Sequence, residues 1–327
     1  MKDMKIELCG DLLDRKEALI FVLLVLCLFV VPLVTHSGFL VAVLIQYLFF
    51  SLLGMAWNMI GGYGGQVSFG MAQYVGIGAY TTALFLKWWD IPFWISMPAG
   101  ALLAACWALI IGRPLFRLRG HYFAIATIAI SLILQDIFRN WQLVGASRGI
   151  QLPFKRSPNL LYVQFANDTY YLWILLGLFT MVFLGLAYFD KSRLAYQLKA
   201  VRENQTLAES LGVNALVAKL KGYAIAAAIA AMAGSFYSIY NMFIDPDSVM
   251  DLMLSVKIAL IPMLGGAGTM WGPLIGAAIL VPLDRYLGVL LGGRGLDLVL
   301  YGLLIMLIAV IEPRGLWGIM QKIARRR

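Results

Sequence analysis

The sequence predicts an all-α, polytopic membrane protein with about ten transmembrane helices, some interrupted by glycine, and one short cytosolic helix between them. Three observations lead there. Hydrophobic residues make up 61% of the 327 positions and charged residues only 13%, and mean hydropathy is +0.83, far from a soluble globular domain. Apolar runs close to the ~20 residues that a spanning helix needs recur along the chain. One long hydrophilic, basic, helix-forming block, residues 190–222, interrupts them.

The predicted spans are 18–34, 39–60, 66–86, 91–112, 120–138, 169–189, 222–244, 252–269, 272–291 and 296–312, all within a single membrane domain covering 1–327. The first follows a charged tail, 1–17, that lacks a small-residue cleavage site and so reads as an uncleaved anchor. Glycines interrupt or border the third and eighth. With the N-terminus inside, 18 of the 26 lysines and arginines fall in inner segments and six in outer ones, which puts both termini in the cytosol. The turn at 245–251 carries three acids and no base, as suits an outer face. The net charge of +9 then reflects topology and anionic lipid, not nucleic acid.

Much chemistry is excluded. Cys9, Cys27 and Cys106 are an odd, scattered set suited to packing, and His36 and His121 lie in different segments, so no histidine-based metal cluster is expected. The chain has no G-x-x-x-x-G-K-[ST] loop. No cofactor and no enzymatic activity are expected.

Two glycine motifs are the next signal. Met59-Ile60-Gly61-Gly62-Tyr63-Gly64 returns as Met263-Leu264-Gly265-Gly266-Ala267-Gly268, 204 residues later. Glycine breaks helices or lets backbones approach closely, so Gly61, Gly62, Gly64, Gly265, Gly266 and Gly268, with the nearby Gln66, Ser68 and Gln73, are candidates for helix breaks or a translocation path. Small-residue packing is an equal reading. Lys257 and Asp284 sit about two turns from the outer ends of the eighth and ninth spans. At ~1.5 Å rise per residue they share a depth, and an unpaired charge there is costly, so they are expected to approach each other. Lys257 snorkelling alone is the alternative. Asp136 and Arg139 are spaced to pair across one turn.

Within 190–222, residues 198–211 read as one helix with Gly212 as its C-terminal cap and Asn214 capping the helix that re-enters the membrane. Ala200, Val201, Leu207, Ala208 and Leu211 form a predicted apolar stripe; Arg202, Glu203, Gln205, Glu209 and Ser210 occupy the rest. Such a helix lies on lipid or docks into a partner's groove. Its mixture of acids and bases favours the partner.

Several of these segments, in this order, resemble the LivM-type permeases of branched-chain amino-acid ABC importers. They are GGYGGQVSFGMAQYVGIGAYTTAL, RLRGHYFAIATIAISLIL, VRENQTLAESLGVNALVAKLKGYAIAAAIAAMAG, MLGGAGTMWGPLIGAAIL and LDLVLYGLLIMLIAVIEPRGLWG, together spanning about 40–318. The resemblance implies a bacterial inner-membrane importer. In it this chain pairs with a second homologous permease, two cytosolic ATPases and a periplasmic substrate-binding protein, with lipid around it. It further implies that the 198–212 helix is the ATPase-coupling element, through Ala200, Val201, Arg202, Glu203, Leu207, Ala208, Glu209, Leu211 and Gly212. The outer loop 139–168, with Arg148, Lys155 and Arg156, is either a landing surface for an acidic binding protein or an ordinary solvated loop.

The chain departs from the family pattern at four places. His121 and Leu132 stand where acids are common, Met71 where the family's SLGHA has histidine, and Lys257 where a glutamate is frequent. These changes leave open branched-chain or other amphipathic amino acids, or another small solute such as an amide, urea or a nucleoside-like compound. A stand-alone secondary transporter is the other class. It would need carboxylates or histidines deep in spans, and Asp136 and Asp284 are the only carboxylates clearly inside helices.

Overall fold

A computed structural model describes residues 15–35, 37–118, 120–154, 160–291 and 316–318. The described chain is almost entirely helical. Helices α1 (Arg15–Val34) and α2 (Gly38–Trp57) are followed by a π-helical turn, Asn58–Tyr63. Then come α3 (Ala72–Trp89), α4 (Phe93–Leu115) and α5 (His121–Asn140). Beyond β1 (Ile150–Gln151) lie α6 (Asp168–Asp190), α7 (Arg193–Glu203), α8 (Gln205–Ser210) and α9 (Ala215–Asn241). Last are β2 (Phe243–Ile244), α10 (Pro246–Val249), α11 (Leu252–Gly265) and α12 (Gly272–Leu291). The two short strands pair antiparallel, Ile150 opposite Ile244, at the end of the bundle away from α7 and α8.

Among the described residues, seven stretches are long and apolar enough to cross a membrane: Glu17–Val34, Gly38–Tyr63, Phe93–Leu115, His121–Asn140, Asp168–Asp190, Ala215–Asn241 and Pro246–Gly265. Several expected boundaries are corrected. The third expected span, 66–86, starts as a helix only at Ala72; residues 64–71 are irregular. This backbone is held by protein groups, as irregular chain at membrane depth must be. Trp57 Nε1 donates to Ser68 O at 2.7 Å, Phe69 N to Thr127 Oγ1 at 3.1 Å and Ala72 N to Ser255 Oγ at 2.9 Å. The seventh span begins at Ala215 rather than 222, because Asn214 Oδ1 accepts from Val217 N at 3.1 Å and starts the helix there. The eighth ends at Gly265, not 269, where Gly266 takes a positive φ of 131°. The expected span 296–312 and most of the tail 1–17 lie outside the described residues.

The core forms around α9, with α3 and α4 against it. Glycine makes this possible. A Cβ on Gly78 would run into the backbone of Ala231, and one on Gly234 into the backbone of Val75, so α3 and α9 touch main chain to main chain. Ser235 Oγ donates to Gly78 O at 3.1 Å across the same contact. α3 is buried along most of its length, with Gln73 and Thr82 fully enclosed. It can therefore be less apolar than a lipid-facing helix. At the periphery, α1 meets α6 through Phe21 and Phe183, whose rings stack at 4.1 Å.

Replacing Gly234 with valine is expected to destabilise the protein at or above the ~1–3 kcal/mol typical of overpacking, because the obstacle is backbone. Gly177 of α6 has open space where a Cβ would go. Gly177→Ala should be neutral or stabilise by up to ~1 kcal/mol. Thermal unfolding of the purified variants in detergent checks both; equal melting temperatures would refute the close-contact assignment.

Candidate functional site

The hydrophilic segment between α6 and α9 folds as two helices, not the single helix expected over 198–211. Asn204 is extended (φ −155°, ψ 105°), and its side chain accepts from Leu207 N at 3.0 Å, ending α7 and capping α8. Gly212 closes the pair with φ +87°. The predicted stripe is also divided. Val201 and Ala208 are buried against Ala215, whereas Ala200, Leu207 and Leu211 are exposed, Leu207 and Leu211 by 58% and 78%. At about 3.6 residues per turn, adjacent residues point some 100° apart, so Ala200 and Val201 on α7, and Leu207 and Ala208 on α8, lie on different edges. One edge packs on the bundle and the other faces away. Glu203 and Glu209 are exposed, and Glu209 accepts from Gln205 Nε2 at 2.9 Å.

The inward edge reaches both glycine motifs. Arg202 Nη1 donates to Gly62 O at 2.6 Å. A Cβ on Gly65 (φ +66°) would sit 2.8 Å from Arg202 Cγ, and one on Gly268 2.5 Å from Arg202 Nη1, so glycine at both places lets the arginine in. The motifs also touch each other. Asn58 Oδ1 accepts from Gly268 N at 2.7 Å and Asn58 Nδ2 donates to Thr269 O at 2.8 Å. Gly61 lies under the Trp57 ring, Gly64 is buried over the Ile60 carbonyl, and Gly265 packs on Gly272 and Gly276. The two helix–break–helix units, α2–α3 and α11–α12, thus place their breaks side by side at the end that carries α7.

Further ties anchor the segment. Lys199 Nζ pairs with Asp190 Oδ1 at 2.7 Å and stands 5.1 Å over the Tyr63 ring, while buried Lys219 donates to Gln205 Oε1 at 2.9 Å. Gln66 is half-buried. Ser68 and Gln73 are buried, and Gln73 Oε1 accepts from Trp107 Nε1 at 3.0 Å. Sequence reasoning missed the anchoring by Lys199 and Asp190. The signal for Asn58 is an asparagine inside an apolar run, three residues before the Gly61-Gly62 pair.

The structure brings Lys257 and Asp284 together, with Nζ 3.2 Å from Oδ1 and the side chains 28% and 30% exposed. Arg285 Nε donates to Gln46 Oε1 at 2.6 Å. Arg139 pairs with Asp136 at 3.3 Å and also donates through Nε to Asp247 Oδ1 at 2.8 Å, tying α10 to α5. Arg148 is exposed; Lys155 and Arg156 lie outside the described residues. Of the family departures, His121 and Leu132 are exposed on α5 and Met71 is buried at the start of α3. Among the described residues, no group of three or more His, Cys, Asp or Glu side chains is placed to hold a metal ion.

A many-helix membrane bundle with paired breaks and one projecting hydrophilic segment defines a polytopic transport-type protein. Comparison with known proteins gives the family. The model for the permease component of branched-chain amino acid transport systems matches residues 39–309, and the chain belongs to that family. It is 28% identical over 290 residues to the high-affinity branched-chain amino acid transport system permease protein LivM of Escherichia coli K12, covering 81% of this chain and 67% of the relative. A probable LivM permease of Methanocaldococcus jannaschii is 27% identical, with 66% of each chain covered. The LivH permease of Salmonella typhimurium is 26% identical, over 82% of this chain and 91% of that one. No solved structure matches. The relatives are transport components, and this chain is a transport permease rather than an enzyme.

Two outcomes test the geometry. Arg202→Ala removes the donor that satisfies Gly62 O. A hydrogen bond from a charged group contributes roughly 1.5–3 kcal/mol, so amide exchange over 58–68 and 266–270 should rise about tenfold or more, with α6 unchanged. Equal exchange in both forms would show that the contact restrains nothing. Lys257→Met alone leaves Asp284 without its lysine and should lower the yield of folded protein in membranes; adding Asp284→Leu should restore part of it. A double variant as poor as the two losses added together would deny the pair.

Proposed function

We propose that this chain is one of two membrane-spanning permease subunits of a bacterial ABC importer, moving branched-chain or other small amphipathic amino acids inward by alternating access. The observation that carries this reading is the Arg202 contact. The segment that would receive force from an ATPase is hydrogen-bonded to one helix break at Gly62 O, and Asn58 joins that break to the second at Gly268. A push on the exposed edge at Leu207 and Leu211 is thereby passed to the places where α2 and α11 end. Family membership and the relatives' names support the substrate class.

In this reading the protein is an inner-membrane chain of about ten spans, both termini cytosolic, with α7 and α8 on the cytosolic side. A homologous second permease, two ATPases and a periplasmic binding protein complete the importer. The loaded binding protein docks outside, ATP closes the ATPase pair, and α7–α8 shift with the breaks so that the permease pair opens outward. Hydrolysis resets it. A stand-alone secondary transporter is less well supported, because Asp284 is engaged by Lys257 and Asp136 by Arg139 near helix ends.

The decisive measurement is ATP hydrolysis by the reconstituted complex, screened for stimulation by binding protein loaded with amino acids, amides, urea or nucleosides. Leucine, isoleucine or valine should stimulate; stimulation by urea alone would reassign the substrate, and by none would sink the importer reading. Leu207→Asp and Leu211→Asp alter exposed side chains and should change stability by no more than ~0.5 kcal/mol. They should nevertheless cut stimulated hydrolysis and transport about tenfold or more, as removal of packed interface anchors does. A Ser210→Cys variant should crosslink to an ATPase subunit. Crosslinks confined to lipid, with transport intact in both aspartate variants, would remove the docking role.

A further inference from the structure

A cleft of about 670 Å³ opens where α1 ends and α2 and α6 begin. Its apolar wall includes Leu33, Val41 and Trp173, and its polar groups include Ser37, Asn167 and Asp168. α6 runs from here to Asp190, which pairs with Lys199 of α7, so the cleft is at the opposite end of the bundle from α7. α1, α2 and α6 are each long and apolar enough to cross a membrane, and all three stop at this cleft. It therefore lies where hydrocarbon gives way to headgroups. Exposed Trp89, Trp94 and Trp141, at the ends of α3, α4 and α5 on this side, mark the same level, as interfacial aromatics do. Phe29 of α1 stacks on Trp173 at 5.3 Å, while Leu33 is both exposed and part of the wall, so the cleft opens toward the bilayer.

The cleft offers one anionic group and one set of donors. Asp168 is exposed, and it is the one charged side chain among the described residues that line the cleft. Among the described residues no lysine or arginine pairs with it. Arg285 and Asp168 both act on Tyr240, but Arg285 is held by Gln46 Oε1 and does not line the cleft. The donors come from the start of α2. Ser37 is its N-cap and makes no side-chain capping bond, so the N–H groups of Gly38, Phe39 and Leu40 have no helical acceptor. Gly38 lines the cleft and has open space where a Cβ would go. The start of a 20-residue helix carries partial positive charge, which suits a phosphate. On the same wall, Trp173 Nε1 is buried without a partner among the described residues. A purely anionic headgroup would meet Asp168 with no lysine or arginine on the wall to offset it. A headgroup with both a phosphate and an ammonium finds a partner for each.

We propose that this cleft binds a phospholipid with a zwitterionic, primary-ammonium headgroup, of the phosphatidylethanolamine type. Asp168 takes the ammonium, the start of α2 with the Ser37 hydroxyl takes the phosphate, and an acyl chain runs along Leu33 and Val41. A trimethylammonium has no N–H to donate to the carboxylate, so choline lipids fit less well. The lipid fills the gap beside α1 and ties it to α2 and α6. The site does not depend on the importer reading.

The test uses the full-length protein in nanodiscs at pH 8, above the ordinary histidine range, so that His36 adds no charge. Phosphatidylethanolamine with a diazirine in one acyl chain is photocrosslinked in competition with unlabelled phosphatidylethanolamine, phosphatidylcholine and phosphatidylglycerol of the same chains. Labelled peptides are identified by mass spectrometry. Peptides covering 29–41 and 166–174 should be labelled, with phosphatidylethanolamine competing about twofold to fivefold better than the other two lipids, the worth of one exposed ion pair. Labelling on the exposed face of α5, at Ile125 and Ile133, should show no headgroup preference. Asp168→Asn should erase the preference at the cleft and Asp168→Glu should keep it. Gly38→Trp, which fills the open space, should abolish cleft labelling and leave that of α5 unchanged. Soluble glycerophosphoethanolamine should not compete. Equal competition by the three lipids would leave only nonspecific boundary lipid. Unlabelled cleft peptides would mean that protein covers the site, and wild-type labelling in Gly38→Trp would place the lipid elsewhere. Competition by the soluble headgroup as strong as by the lipid would make the site one for a free solute. Each of these results would overturn the proposal.

Discussion

The rest of the structure depends on the main-chain contact between α3 and α9. In lipid there is no hydrophobic gain from bringing two apolar helices together, so association relies on close packing and hydrogen bonds between helices. Gly78 and Gly234 supply the packing reciprocally, each over the other helix's backbone, and Ser235 supplies the hydrogen bond. Gly100 of α4 comes in on Gly78 from another side, where a Cβ would stand 3.3 Å from Gly78 Cα. With three helices drawn together here, α3 is enclosed by protein and can carry Gln73, Thr81 and Thr82 where a lipid-facing helix could not.

That enclosure has a consequence below α3. Residues 64–71 do not continue the helix, so their backbone groups, and the carbonyls released where α2 and α11 stop, need partners inside the protein. Trp57, Thr127 and Ser255 serve the first set; Asn58 and Arg202 serve the second. Arg202 is the informative member, because it comes from the hydrophilic segment rather than from a neighbouring span. A guanidinium brings a strong, charge-assisted donor to a carbonyl that no helix satisfies. The segment is therefore part of the bundle's hydrogen bonding, and it cannot shift without disturbing the breaks.

Much of this was legible in the sequence and some was not, for identifiable reasons. Apolar runs locate helices in lipid reliably, and the Asn214 cap and the shared depth of Lys257 and Asp284 follow from local rules. The onset of α3 at Ala72 was hidden because hydropathy does not distinguish helix from buried irregular chain, and Val67 to Ala72 are mostly small or apolar. The break at Asn204 was hidden because its neighbours are good helix formers; only the asparagine's dual capacity to stop one helix and cap the next marked it. The contact between the glycine motifs was not readable at all. A repeat separated by 204 residues says that two segments are alike, and whether they meet depends on how α2 and α11 pack.

In the proposed docking role, the division at Asn204 lets a short segment present two surfaces. Packing both apolar edges inward would leave no apolar anchor for a partner, and turning both outward would leave Arg202 unable to reach Gly62. The bend between α7 and α8 avoids the choice. Val201 and Ala208 remain with Ala215 and hold the segment down, Arg202 and Lys199 reach the breaks, and Leu207 and Leu211 stay outside. Two large exposed aliphatic side chains, Leu207 in a helix of six residues and Leu211 at its C-terminal cap, bury too little to bind a bilayer strongly. The same pair is enough to seat a knob in a protein groove, where a few anchors carry most of the binding energy.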